Sequence, residues 1–200
     1  GAGSAVSLNF AGSKLLGLEV TSNHVNALAE NGGLIQADGG QVLLSAGARN
    51  SLLASVVNNT GVIRADSVSE HNGKIVLSGG GSGVVSVTGT LAAAGAGLGR
   101  KGGTVHVLGD KVLLAPGANI DASGESGGGT VLVGGDYQGS NASVQNASRV
   151  YVASDTSLKA DATGHGDGGK VVVWADGDTR FAGSISARGG AQGGNGGFVE

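Results

Sequence analysis

Three aspartates are the residues whose spacing could support catalysis or cation binding. Asp110, Asp136 and Asp176 each follow a short Val-rich segment, and these segments recur along the chain. If the segments stack as neighbouring strands, the carboxylates lie about 5 Å apart, which suits a pair of retaining glycosidase carboxylates or a calcium site. A turn is the competing interpretation, because an aspartate accepts backbone N–H groups there. We favour the turn, since the earlier copies carry Ser45-Ala46-Gly47 and Ser78-Gly79-Gly80 at the matching position.

The other residues that could bind a metal or act as nucleophiles are weaker candidates. The four histidines lack the spacing of metal ligands, and they are His24, His71, His106 and His165. Asp176-Gly177-Asp178 and His165-Gly166-Asp167-Gly168 have only a faint likeness to calcium-binding nonapeptide repeats. There is no cysteine. We therefore predict no catalytic residue, metal site or cofactor.

The composition favours strands joined by tight turns. The chain has 200 residues, of which 42 are Gly and one is Pro, so the proline content of collagen is absent. Hydrophobic residues make up 40% and charged residues 14%, which argues against disorder, and this much glycine disfavours helices. The net charge of −3 gives no electrostatic case for binding nucleic acid. No apolar run is long enough to span a membrane as a helix. The lack of methionine and the ending in mid-pattern suggest a piece of a longer chain.

A repeat accounts for most of the sequence. Its first segment is a short alternation that ends in Ala, and its central aliphatics are 28, 28, 29, 38 and 27 residues apart. We place these aliphatics in one inward column: Ile35, Ile63, Leu91, Ile120, Leu158 and Ile185. The alanines form a second column at a corner with little room: Ala37, Ala65, Ala93, Ala122, Ala160 and Ala187.

Two further segments complete each copy. The second segment begins with Gly and alternates around the inward residues Val42, Ile75, Val105, Val131 and Val171. The third, looser segment covers Leu52–Val56, Val84–Val87, Lys111–Leu114, Arg149–Val152 and Asp178–Phe181. Three short strands in about 28 residues predict a parallel β-helix, in which rounds stack and share one core. We expect about six to seven rounds in one continuous domain, with an irregular first round over 1–28 and regular repeats over 29–200.

Glycine at the corners is expected to supply the positive φ angles of sharp turns. Inserts between the first and second strands should leave along one edge, and a longer loop, 134–148, separates a second strand from a third.

The outward positions of the second strands are unusually apolar. This stripe, with Trp174 near it, comprises Leu43, Val76, His106, Leu132 and Val172. A solvated face is normally more polar, so either the loop 134–148 or a flanking segment covers the stripe, or it is a contact surface for another chain or a sugar. Trp174 and Tyr151 could stack on sugar rings.

The repeats resemble a known family. Asn31-Gly32-Gly33-Leu34-Ile35-Gln36-Ala37, Val57-Asn58-Asn59-Thr60-Gly61-Val62-Ile63-Arg64-Ala65 and Gly168-Gly169-Lys170-Val171-Val172-Val173-Trp174 resemble the filamentous-haemagglutinin-like exoproteins of two-partner secretion. The resemblance extends from about residue 4 to the end. It implies a right-handed parallel β-helix and export through an outer-membrane partner transporter. The secretion signal of the family lies in an N-terminal cap that we do not find in this sequence.

The sequence thus predicts the non-enzymatic rod of a secreted or cell-surface bacterial adhesin. Its expected partners are the transporter, polysaccharide or host surfaces, and other copies of the chain; nucleic acid is not among them. Two alternatives remain open: a polysaccharide-acting β-helix enzyme and a self-assembling filament subunit.

Overall fold

The protein is a parallel β-helix with three sheets, described by a computed structural model over residues 5–9, 15–21, 26–47, 54–68 and 72–200. In these ranges every strand pairing is parallel except that of the first two strands. We number the sheets by the order in which the chain visits them in each round. The predicted all-β fold with three strands in each round is confirmed.

The strands are short and fall into the three sheets in a regular order. Sheet 1 contains β4 (Leu34–Gln36), β7 (Val62–Arg64), β10 (Thr90–Ala92), β13 (Asn119–Asp121), β16 (Ser157–Lys159) and β19 (Ser184–Ser186). Sheet 2 contains β1 (Ala5–Asn9), β2 (Leu15–Thr21), β5 (Gln41–Gly47), β8 (Lys74–Ser78), β11 (Thr104–Leu108), β14 (Thr130–Val133), β17 (Lys170–Val173) and β20 (Phe198–Val199). Sheet 3 contains β3 (Asn26–Asn31), β6 (Ala54–Asn59), β9 (Val84–Val87), β12 (Lys111–Leu114), β15 (Ala147–Val152) and β18 (Ala175–Phe181).

The predicted inward columns have the expected register. Ile63 pairs with Ile35 on one side and Leu91 on the other, and the column continues through Ile120 and Leu158 to Ile185. Ile75 and Val105 occupy the equivalent column of sheet 2. These side chains belong to one buried cluster that extends along the helix, so the apolar side of each round is covered by its neighbours.

The glycines just before the sheet 2 strands are required for a different reason from the one predicted. Gly103, Gly129 and Gly169 do not have positive φ angles. A Cβ on Gly129 would instead lie 2.0 Å from the carbonyl oxygen of Gly103, and one on Gly169 would lie 2.1 Å from that of Gly129. The expectation of positive φ was therefore wrong at these corners, because close approach of successive backbones excludes a side chain there. Positive φ does occur at other turns, such as Gly39 at 68°.

Polar side chains link successive rounds just after the alanine corner. Asp38 Oδ1 accepts the N–H of Asp66 in the next round (3.2 Å), and Asp66 Oδ1 accepts the N–H of Ala94 (3.0 Å). At the same position Asp161 Oδ1 accepts the N–H of Arg188 (2.7 Å). Each of these carboxylates satisfies a backbone donor of the following round and so fixes the stacking register.

The inserts between sheets 1 and 2 also stack on one another. Gly124 forms parallel bridges with Gly95 and Ala162, and Glu125 Oε1 lies 3.1 Å from His165 Nδ1. The prediction that these inserts share one edge is confirmed for the described residues; 69–71 lie outside them.

The first residues depart from the regular pattern. β1 pairs antiparallel with β2, whereas β2 and β3 pair parallel with β5 and β6. The division into 1–28 and 29–200 stays a prediction. Three third strands differ from their predicted bounds: β6 covers Ala54–Asn59 instead of Leu52–Val56, β15 begins at Ala147 and β18 begins at Ala175. A bulge separates Ala147 and Ala175 from the regular pairing of Arg149 with Asp178. Within the described part of the chain, no helix is long and apolar enough to cross a membrane.

Candidate functional site

The predicted apolar stripe lies in register on the outer face of sheet 2. Val76 pairs with Leu43 and His106, and Leu132 pairs with His106 and Val172. The stripe is not uniformly accessible. Leu132 is 3% exposed and Val172 is 0% exposed, whereas the other three residues are half-buried. The part of the stripe that a partner could reach is therefore Leu43, Val76 and His106.

The loop of residues 134–148, which we call the covering loop, lies against this face. The Tyr137 ring packs edge-on against Phe198, with ring centroids 5.5 Å apart. Asp136 forms an ion pair with Lys170. Phe198 and Lys170 are paired residues at neighbouring outward positions of sheet 2, so the start of the loop is held over the buried end of the stripe.

The covering loop also spans several rounds. Gln145 Nε2 donates to the carbonyl of Gly80, which follows β8 (2.8 Å), and the N–H of Ser148 donates to the carbonyl of Asp110, which follows β11 (2.7 Å). In the other direction, the N–H of Gln138 donates to Glu200 Oε2 (3.2 Å). The loop thus connects rounds that are far apart in the sequence.

The two aromatic residues predicted to stack on sugars are not neighbours in one site. Trp174 is half-buried, and its Nε1 donates to Asp176 Oδ1 (3.0 Å) beside the covering loop. Tyr151 lies on β15 in sheet 3 and is 48% exposed. Of the two, Tyr151 has the ring that an external ligand can reach.

Asp136 is held as a carboxylate by its neighbours. Burial acts to raise its pKa, but hydrogen bonds from the Asn141 side chain, Lys170 and the N–H of Tyr137 outweigh burial and bring the pKa of Asp136 to about 2. The N–H of Tyr137 lies 2.7 Å from Asp136 Oδ1, at the start of a 3-10 turn over Tyr137–Gly139. This arrangement is the turn interpretation made from the sequence.

The other two aspartates also have structural partners. Hydrogen bonds from Lys111 and then Ser148 lower the pKa of Asp110. Asp176 Oδ1 accepts from Trp174 and from Asn146 Nδ2 (3.0 Å). Among the described residues, which exclude His24 and His71, there is no group of three or more His, Asp or Glu side chains that could hold a metal ion.

His106 is the titratable member of the stripe. Burial lowers its pKa; Lys74 and Lys170 lower it further, and Asp136 opposes them. A neutral imidazole is therefore favoured on this face, consistent with its apolar neighbours.

A second surface, which the sequence analysis missed, lies on the outer face of sheet 3. We call it the sheet 3 groove. It is an open depression of about 380 Å³ across β9, β12, β15 and β18. Its lining residues are Val84, Lys111, Val112, Leu113, Arg149, Val150, Tyr151, Asp178 and Arg180.

The register explains how this groove is built. Val84, Lys111, Arg149 and Asp178 follow one another in one outward column, and Leu113, Tyr151 and Arg180 follow in the next. Aligning the third segments from their first residues would have placed both columns. The columns do not stand out in the sequence, because most of their residues are charged and look like an ordinary solvated face.

The comparisons with known proteins agree with this geometry. No protein-family model matches the chain. The crystal structure of the HMW1 secretion domain from Haemophilus influenzae superposes with a TM-score of 0.70, at 31% sequence identity, over 86% of this chain and 43% of that one. The predicted resemblance to two-partner secretion exoproteins is confirmed.

A shorter match points to the same kind of protein. The chain is 41% identical over 63 residues to a heme/hemopexin-binding protein of Haemophilus influenzae, which is 32% of this chain and 7% of that protein. The chain therefore spans less than half the length of each of these two proteins. Its similarity is to segments of secreted two-partner exoproteins.

Proposed function

We propose that the chain is a rod segment of a secreted bacterial exoprotein and presents its outer faces for attachment. The observation that carries this proposal is the unbroken inward column from Ile35 to Ile185, which makes one stiff stack of rounds. Each round adds about 5 Å of length, so the chain works as a spacer whose surfaces repeat along its axis.

A non-enzymatic role is favoured by the state of the candidate carboxylates. Asp110, Asp136 and Asp176 each accept hydrogen bonds from neighbouring residues of the fold. A retaining glycosidase needs a protonated acid as well as a nucleophilic carboxylate facing one substrate. A carboxyl with a pKa of about 2 is ionised near neutral pH, so Asp136 does not suit the role of the acid.

The proposed export partner is an outer-membrane transporter, and the proposed location is outside the cell or on its surface. Similarity to the HMW1 secretion domain supports both proposals. That similarity also favours a second function: because 86% of this chain superposes on a secretion domain, the segment itself could contribute to recognition by the transporter.

Export and attachment can be separated in the full-length exoprotein produced with its transporter. Deleting 34–186 removes β4 to β19, and deleting 34–61 removes one 28-residue repeat (β4 to β6) while keeping every residue that lines the sheet 3 groove. The rod proposal predicts normal export for both variants and loss of attachment for the first only, measured from protein in the medium and from adherent cells.

Two outcomes would contradict the proposal. Loss of export after deletion of 34–186 favours the secretion-domain role instead. Normal export with undiminished attachment removes the adhesive role of the segment.

A further inference from the structure

The sheet 3 groove differs in charge from the rest of the chain. Its lining includes Lys111, Arg149 and Arg180 but only one carboxylate, Asp178, whereas the whole chain has a net charge of −3. Asp110 lies beside the groove and pairs with Lys111, and Asp178 pairs with Arg149. Arg180 has no ion-pair partner among the described residues. The groove therefore keeps a local excess of positive charge.

The one carboxylate in the lining does not neutralise the groove. Arg149 Nε lies 3.5 Å from Asp178 Oδ2, and the two side chains are 70% and 72% exposed. An ion pair at this distance and exposure is weak, so an incoming anion can displace Asp178 from the guanidinium at little cost.

Tyr151 places an aromatic surface among these cations. It pairs with Leu113 on one side and Arg180 on the other. Neighbouring strands are about 4.8 Å apart, so the Arg180 side chain begins next to the ring. A tyrosine ring has an apolar face and a polar hydroxyl, which suits the alternating C–H and hydroxyl surfaces of a sugar.

The backbone of β15, which carries Arg149 and Tyr151, is not available to a ligand. β15 pairs with β12 on one side and β18 on the other. An extended peptide therefore cannot add to the sheet at Tyr151, and recognition has to come from side chains that project outward. An arginine fork binds a carboxylate through two parallel hydrogen bonds.

We propose that the sheet 3 groove binds an acidic polysaccharide whose sugars carry carboxylates. Tyr151 packs against a sugar ring, while Arg180 and Arg149 bind carboxylates of the same glycan chain. The inference rests on the proposed adhesive function and names the ligand class and the site. Contacts at one groove are few, so useful attachment depends on many exoprotein copies acting together.

Binding is tested with the 200-residue chain and three probes of similar length. Oligogalacturonate has both the ring and the charge, its methyl ester has the ring alone, and poly-glutamate has the charge alone. The proposal predicts that oligogalacturonate binds at least about tenfold more tightly than either of the others in calorimetry at low salt. Equal binding of poly-glutamate would show charge attraction only, and would overturn the proposal. Equal binding of the methyl ester, or no binding of oligogalacturonate, would also overturn it.

Variants locate the site. Arg180→Gln and Tyr151→Ala should each weaken oligogalacturonate binding by about tenfold, whereas Tyr151→Phe should retain it. Asp178→Asn should strengthen binding by roughly threefold, because it removes a competing carboxylate. Lys159→Gln is the matched charge control, since Lys159 is exposed on sheet 1, and should leave binding unchanged. If Lys159→Gln weakens binding as much as Arg180→Gln, the groove is not the site.

This result can be distinguished from failure of the adhesive role. Cells producing the Arg180→Gln exoprotein should export it normally and attach less well to a pectate-coated surface. Suppose that attachment is unchanged in this variant but is lost on deleting 34–186. That result would contradict the groove as the binding site and leave the proposed rod function in place.

Discussion

The outer faces of sheets 2 and 3 are built from the same rounds, yet they meet solvent differently. On sheet 2 the start of the covering loop is held by Lys170 and Phe198, and the nearby Leu132 and Val172 are buried. On sheet 3 the corresponding region contains Tyr151, which is half-exposed, in an open groove. One insertion, residues 134–148, separates the two cases. The accessible surface of this β-helix therefore depends on the loops inserted between strands as much as on the strands themselves.

The largest expected difference between the two faces is the loss of stability when a leucine on each face is truncated. Leu132→Ala should destabilise the protein by about 2–4 kcal/mol, because Leu132 is only 3% exposed and its truncation leaves a cavity. Leu113→Ala, on the half-buried face of sheet 3, should cost less than about 1 kcal/mol. Urea unfolding of both variants measures the difference. Equal losses would mean that the covering loop does not enclose Leu132.

A glycine at the start of the covering loop gives the next effect. Gly134 has a φ of +79°, and a Cβ there would lie 2.4 Å from the carbonyl oxygen of Trp174. Gly134→Ala should therefore destabilise the protein by roughly 1–3 kcal/mol. Gly33→Ala is the control, since no atom lies within 4 Å of its Cβ position, and thermal unfolding should show little change for it. A neutral Gly134→Ala would argue against the observed path of the loop.

The ion pair between Asp136 of the covering loop and Lys170 should make the free energy of unfolding depend on pH. The pKa of Asp136 falls from 3.8 to about 2 on folding, so its contribution is present above pH 4 and is lost as the pH falls through 2. We expect a loss of about 1 kcal/mol after solvent screening. Urea unfolding at pH 6 and at pH 2.5 measures it, and Asp136→Asn should remove this part of the pH dependence. A variant with the wild-type pH profile would show that other carboxylates are responsible.

The smallest effect is expected on the open face. Asp178→Ala should change the free energy of unfolding by less than about 0.5 kcal/mol, because the pair with Arg149 is exposed. Unfolding at low and high salt should give nearly the same difference from the wild type. A larger loss would mean that sheet 3 is covered or ordered by this pair.

Much of the fold follows from the sequence, and the reason is physical. Ile63 and Leu91 are separated by one repeat and face the same core, so their spacing determines both the strand and its register. The path of the covering loop does not follow from such spacing, since its contacts, such as that of Gln145 with Gly80, join residues with no repeat relation.

The candidate surfaces were harder to predict for the same reason. The stripe was found because Leu43 and Val172 are apolar at outward positions, but its burial depends on a loop without periodicity. The groove at Tyr151 escaped notice because its neighbours are charged and look like an ordinary solvated face. Positive φ was expected at corner glycines such as Gly129, where backbone crowding is the actual constraint.

The carboxylate links between rounds have a consequence for how such a helix can grow. Asp38 and Asp66 belong to the earlier round, and the N–H groups that they accept belong to the later one. A folded round thus presents hydrogen-bond acceptors to the segment that follows it in the chain. We expect a chain that leaves a pore with its amino terminus first to fold round by round. Each folded round would serve as a template for the next, before the remainder of the polypeptide has emerged.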